Sequence, residues 1–190
     1  FLQKDFFGSL FVMGFWYHKD MRKIIMFNFV TADGYFAGTD GDISWHPVDD
    51  EFNAFAVDFI NTCDAALFGH TTYELFASFW PTAAKDPNLS DEDRTIASAL
   101  NQMKKIVFST EDLQPTWQNT EIRHSIQADE IKQLKEKDGK NIVIYGSGTI
   151  VRQLTDLGLV DEYQFIVAPV ILGGGKSIFD KTKKTPLELQ

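Results

Sequence analysis

From residue 22 onward, short apolar runs rich in β-branched and aromatic residues alternate with stretches whose apolar residues recur at helical spacing, and no other feature restricts the fold so tightly. RKIIMFNFV (22–30), AALFG (65–69), KKIVFST (104–110), TEIRH (120–124), NIVIYG (141–146) and VDEYQFIVAPVIL (160–172) read as strands, with FIVAPVIL (165–172) apolar enough for a buried one. Between the first two, Phe52, Phe55, Ala56, Phe59 and Ile60 predict a helix over 48–61, with Asp49 and Asp50 at its positive end. TTYELFASF (71–79) reads as a short helix stopped by Pro81. TIASALNQM (95–103) reads as another, behind a surface loop (81–93) that ends in a cap. QADEIKQLKEKDG (127–139) is a polar helix ending at Gly139, and TIVRQLTDLG (149–158) an amphipathic one ending at Gly158. Strands spaced by helices predict a largely parallel sheet covered on both faces, with ligands at the carboxyl ends of the strands. Three stretches fall there: the glycine-containing loop TADGYFAGTDGD after residue 30, GHTT at 69–72 and GSGT at 146–149.

A chain of 190 residues without repeats or linkers predicts one domain, taken as 21–190. Residues 1–20, FLQKDFFGSLFVMGFWYHKD, are read as an extension, because MRKIIMF has the look of a natural start and no signal-peptide cleavage site precedes it. The net charge of -9 and pI near 4.8 disfavour nucleic acid and anionic membrane surfaces as partners, so a bound anion must be met locally. No apolar run approaches the roughly 20 residues of a membrane span. Cys63 is the one cysteine, which excludes an internal disulfide, leaves a zinc site unsupported and suits a reducing, cytoplasmic setting.

IVIYGSGTIVRQL joins a buried strand, a turn with Gly146 and Gly148, and an amphipathic helix, so free backbone N–H groups and the helix dipole converge where a pyrophosphate could dock. Val151 stands where G-x-G-x-x-G needs its last glycine, so this is not a Rossmann fingerprint. LGGGKS (172–177) imitates a P-loop, but Val170 occupies the position of the required first glycine and Pro186 follows where a helix should run; ATP hydrolysis is not expected. ISWH (43–46) ahead of Asp49 and Asp50 places an acid at a helix start near Trp45, suited to relaying a proton to a C=N bond. Both acids also read as simple caps.

Taken together, ISWH, the acidic helix start, ALFGHTTYE, KIVFST, IYGSGTIVRQL and DEYQFIVAPVILGGGKSIF occur in the order and spacing of dihydrofolate reductase-like proteins. CDAALFG and VILGGGKSIF are most similar to stand-alone relatives of the reductase domain of the riboflavin-biosynthesis deaminase/reductase, the RibD C-terminal type. The resemblance implies a three-layer α/β/α fold around a mixed, mostly parallel sheet of about eight strands, and hydride transfer from NADPH, with NADH as the alternative, to a C=N bond. Carried over by position, Ala32 and Ala37 flank the nicotinamide, while Gly69, His70, Thr71 and Thr72 lie beneath the phosphates. Ser109 and Thr110 line the adenosine ribose, and Gly146, Ser147, Gly148, Thr149 and Ile150 cradle the pyrophosphate. Trp45 and Asp50 match the substrate side, although helical phase favours Asp49. His70 and Thr149 stand where folate-type enzymes commonly carry arginines, which weakens selection for NADPH. No Lys or Arg occurs from 24 to 84, so a phosphorylated substrate lacks an anion clamp. A pterin- or pyrimidine-like heterocycle is therefore expected, ahead of 5-amino-6-(5-phosphoribosylamino)uracil or a purely nucleotide-binding role. The family's last antiparallel strand is not evident before TPLELQ, so either the chain is truncated or a partner covers that edge, and the resemblance separately implies a homodimer.

Overall fold

The computed structural model describes residues 21–189, so the extension read over 1–20 lies outside the described residues. The chain runs β1 (Ile24–Thr31), β2 (Tyr35–Ala37), α1 (Asp50–Ile60), β3 (Cys63–Gly69), α2 (His70–Ala77), α3 (Trp80–Ala83), α4 (Asp91–Gln102), β4 (Lys104–Phe108) and β5 (Thr120–Arg123). It continues through α5 (Ala128–Glu136), β6 (Asn141–Ile144), α6 (Gly148–Asp156), β7 (Glu162–Ala168) and β8 (Lys176–Ser177). Six strands form one sheet in the order β5-β4-β3-β6-β1-β7, and every pairing in it is parallel. β2 and β8 form a separate antiparallel ribbon. The eight strands are present, and the mixed direction resides in the ribbon.

Period-two alternation divides the core into two layers. Ile24 and Met26 of β1, Leu67 of β3 and Ile142 and Ile144 of β6 face α5 and α6, burying Ile131, Leu134, Ile150 and Leu154. Ile25, Phe27, Phe68 and Val143 face the other way, onto Phe59 and Ile60 of α1, Tyr73 of α2 and Leu100 of α4. Both faces are covered, as near-continuous apolar strands require. Among the described residues no helix is long and apolar enough to cross a membrane.

Three elements differ from the sequence expectation. α4 starts at Asp91, because Ser90 Oγ accepts from the Asp93 N–H at 3.0 Å and three acids occupy the first turn; the helix reaches back past its apolar pattern. Pro81 does not stop α2, which ends at Ala77; it lies in the first turn of α3, where a missing N–H costs nothing. VDEYQFIVAPVIL is not a buried strand throughout. β7 ends at Ala168, before Pro169, and lies on the sheet edge with Val167 62% and Ile171 77% exposed, because no described element packs over that side.

Candidate functional site

β3 and β6 are neighbours, with Leu67 opposite Ile144, yet the helices that leave their carboxyl ends go to opposite faces of the sheet. α2 packs in the layer of Tyr73 and α6 in the layer of Ile150 and Leu154, so a crevice opens between them. The two turns touch. A Cβ on Gly69 would lie 2.6 Å from both Cβ and Oγ of Ser147, so only glycine permits that approach. Gly146 takes φ of +79° and its bond to Ser147 is cis.

The helix ends at this crevice differ electrostatically from those of α1, α4 and α5, while the short α3 likewise lacks acids in its first turn. α1, α4 and α5 each carry carboxylates in the first turn, whereas α2 and α6 carry none, and neither Gly69 nor Ser147 supplies a side-chain cap. Their first N–H groups and positive dipole ends are left for an acceptor in the crevice. A cleft of about 560 Å³ lies there, lined by Gly69, His70, Thr71, Ser109, Thr110, Ser147, Thr149 and Ile150 among others. Eight of the sequence-derived residues thus share one wall. Gly148 opens α6 behind it, under the ring of Phe36, and Thr72 faces Gly146 rather than the cleft.

Glu74, Glu111, His124 and Gln153 also line the cleft and were not picked out from the sequence. His124 follows the last residue of β5 and Glu111 lies just beyond β4, so the carboxyl-end rule applied to the outer strands would have found both. His70 Nδ1 hydrogen-bonds Ser109 Oγ at 2.9 Å, its Nε2 lies 3.3 Å from Glu74, and His124 Nδ1 bonds the Ser109 carbonyl at 3.1 Å. Among the described residues no group of three or more His, Cys, Asp or Glu is placed to hold a metal ion.

Beside β1 the wall is aromatic. Phe27 stacks on Phe59 at 4.8 Å between ring centroids, and Phe29 packs on Phe52 at 4.8 Å and on His46 at 4.3 Å. His46 is half-buried: burial lowers its pKa, and its Nε2 has no partner. Trp45 packs edge-on against His46, and its Nε1 donates to the Asp42 carbonyl. Asp49 caps α1 by accepting from the Phe52 N–H at 2.8 Å, while Asp50 is exposed at the first helical position. Ala32 is exposed, its N–H donating to the Val170 carbonyl, and Ala37 is buried in β2 opposite Lys176. Asp33 ties the loop after β1 to the glycine run, accepting from Thr31 Oγ1 and the Gly173 N–H; the Thr31 hydrogen bond leads in lowering its pKa.

The RibD C-terminal domain family model matches residues 22–190. The uncharacterized protein YyaP of Bacillus subtilis (strain 168) is 32% identical over 163 residues, which span 86% of this chain and 83% of YyaP. Among solved structures, a putative riboflavin biosynthesis protein from Shewanella sp. PV-4 superposes with a TM-score of 0.61 at 21% identity, covering 86% of each chain. Dihydrofolate reductase from Enterococcus faecalis, solved with NADP(H), gives 0.54 at 16% identity over 84% of this chain and 78% of its own.

Proposed function

The chain belongs to the RibD C-terminal domain family, whose solved neighbours include riboflavin-pathway and dihydrofolate reductases, and on that premise we propose that it is a nicotinamide-dependent reductase. The observation that carries the proposal is the meeting of two helix N-termini, uncapped by side chains and free of carboxylates, on one cleft at the switch point between β3 and β6. Gly69 lets the two turns meet at that point, which suits a pyrophosphate site. Bound at that point, the cofactor would supply hydride. The chain's own residues would hold it: Gly69 to Thr72 and Gly146 to Ile150 at the phosphates, Ser109 and Thr110 at the adenosine ribose, and Ala32 and Ala37 towards the nicotinamide.

For the acceptor we favour a small, flat, unphosphorylated heterocycle with a C=N bond, lying between β1 and α1 near Trp45. The half-buried Phe29, Phe52 and His46 form an aromatic cluster there, and no Lys or Arg between 24 and 84 offers a phosphate clamp. Asp50, or a water that it orders, would supply the proton, since Asp49 is engaged as a cap. Family membership keeps a second reading alive, reduction of 5-amino-6-(5-phosphoribosylamino)uracil, which complementation of a strain lacking that reductase tests. A homodimer is part of the proposal. The first test is titration with NADPH and NADH, followed by reduced-nicotinamide fluorescence: saturation below millimolar concentration is expected, and no binding of either would sink the reading.

A further inference from the structure

We propose that the adenosine end of the cleft selects the 2′-hydroxyl of NADH over the 2′-phosphate of NADPH, with Glu111 and Glu74 as the selecting residues. The inference rests on the cofactor reading above and deepens it.

Ser109, at the end of β4, is the hydroxyl that would meet the ribose side, and its one hydrogen is already used. Its Oγ donates to the Glu111 carbonyl at 2.9 Å, accepts from the Glu111 N–H at 3.1 Å and engages His70 Nδ1 at 2.9 Å. Whichever way the contact with His70 runs, the single hydroxyl hydrogen is used within the protein, and none is left for a phosphate oxygen. His70 is bracketed in turn, with Glu74 3.3 Å from Nε2 and Glu111 3.9 Å from Nδ1. Any positive charge on this imidazole is met by protein carboxylates before it reaches a ligand.

Among the described residues no Lys or Arg lines the cleft. The guanidiniums flanking it are paired: Arg123 binds Glu121 at 2.7 Å and Glu130 at 3.2 Å, and Arg152 binds Asp180 at 2.7 Å while its Nη2 donates to Thr149 Oγ1 at 3.3 Å, on the α6 side of the cleft. His124, tied through Nδ1 to the Ser109 carbonyl, is the other imidazole lining the cleft, which also holds Glu74 and Glu111. A phosphate dianion placed among them is repelled, whereas a ribose hydroxyl donates to a carboxylate, the contact by which an acidic residue reads NAD in other nucleotide folds. The Glu74 and Glu111 side chains are 61% and 80% exposed, so water and salt screen the repulsion and the preference is moderate.

Two measurements test this: fluorescence titration of the whole protein with NADH and NADPH, and calorimetry with 5′-ADP and 2′,5′-ADP, which need no turnover. At about 0.1 M salt NADH should bind about tenfold more tightly than NADPH, with the ratio shrinking towards 1 M salt. The same order should hold for the two ADP isomers. Glu111→Lys should shift the ratio towards NADPH by about tenfold or more, and Glu111→Gln, which removes charge without adding it, by less. Equal or tighter binding of NADPH by the unaltered protein overturns the inference while leaving the cofactor reading intact. So does an unchanged ratio in Glu111→Lys that melts like the parent. Failure of both dinucleotides to bind overturns the cofactor reading, and this inference with it.

Discussion

Asp49 and Asp50 are adjacent acids with separable tasks. Asp49 has extended backbone geometry and accepts from the Phe52 N–H, so Asp49→Ala should cost about 1 kcal/mol of stability, read from the denaturant midpoint. Asp50→Asn should change stability by about 0.5 kcal/mol or less and lower turnover by about a hundredfold if Asp50 serves the proton. A large stability loss with unchanged turnover in Asp50→Asn would move the proton role elsewhere, with His46 the next candidate in reach of the aromatic wall. Gly69 is a sharper test of the cradle. Its missing Cβ leaves room for Ser147, so Gly69→Ala should force the α2 and α6 turns apart, costing about 1–3 kcal/mol and weakening nucleotide binding by tenfold or more. Normal titration by that variant would show that the contact between the turns is not needed for binding. At this scale the glycine turns after β3 and β6 were legible in the sequence, because strand-turn-helix junctions need them, whereas Ser109 and Thr110 were named through the family resemblance alone. His46 was not legible, since nothing local to ISWH announces that Phe29 will lie flat against its ring.

Elements were legible where both faces of a strand or one face of a helix meet a partner, because burial imposes the period. β1, β3, β4 and β6 follow that rule. β2 and β8 do not: three- and two-residue strands are too short to carry a period, and their pairing is set by the loop that Asp33 ties down. The outward side of β7 was misread for a related reason, since apolar composition records an aptitude for burial and the neighbour decides whether it happens. Cooperation between elements also explains Lys105, which the pattern of KKIVF would place outside. α4 has no basic residue in its last turn, and Lys105 of the following strand supplies the cation. Wholly buried, its Nζ donates to the carbonyls of Leu100 at 2.7 Å and Met103 at 2.8 Å and sits 4.3 Å from the Trp117 ring centre. Lys105→Met should cost about 2 kcal/mol by leaving those carbonyls unpaired. Burial lowers the ammonium pKa from 10.5 to about 8, so between those pH values the unfolded chain holds more protons than the folded one. Stability of the parent relative to Lys105→Met should therefore rise as pH climbs from about 8 to 10.5, and denaturant midpoints measured across that window check it. A gap that narrows instead would mean that the carbonyls and the indole hold the charged form more strongly than burial opposes it.

At the scale of the whole molecule, the order β5-β4-β3-β6-β1-β7 creates the cleft, because β6 enters between β3 and β1 and sends its helix to the face opposite α2. Neither periodicity nor the family resemblance as read from the motifs revealed that order, since strand order depends on which crossovers pack and not on any one segment. The same order leaves β7 at an edge, and the edge bears on assembly. Phe165, Val167 and Ile171 are 37%, 62% and 77% exposed along it, a run of apolar side chains that an isolated chain would hold in water. If a second copy covers them, as the proposed homodimer requires, a charge at the middle of the run should be tolerated by the fold and rejected by the interface. Val167→Lys is the fitting change: within one chain the side chain faces solvent, so the stability of the monomer itself should change by no more than about 0.5 kcal/mol, apart from what is lost with the dimer. The sedimentation velocity of the parent should then be that of a dimer, and that of Val167→Lys should fall to the monomer's at micromolar concentration. If the two sediment alike, this strand is not the seam between protomers. If both are monomeric, the cleft works without a partner chain, and nucleotide affinity should then be independent of protein concentration.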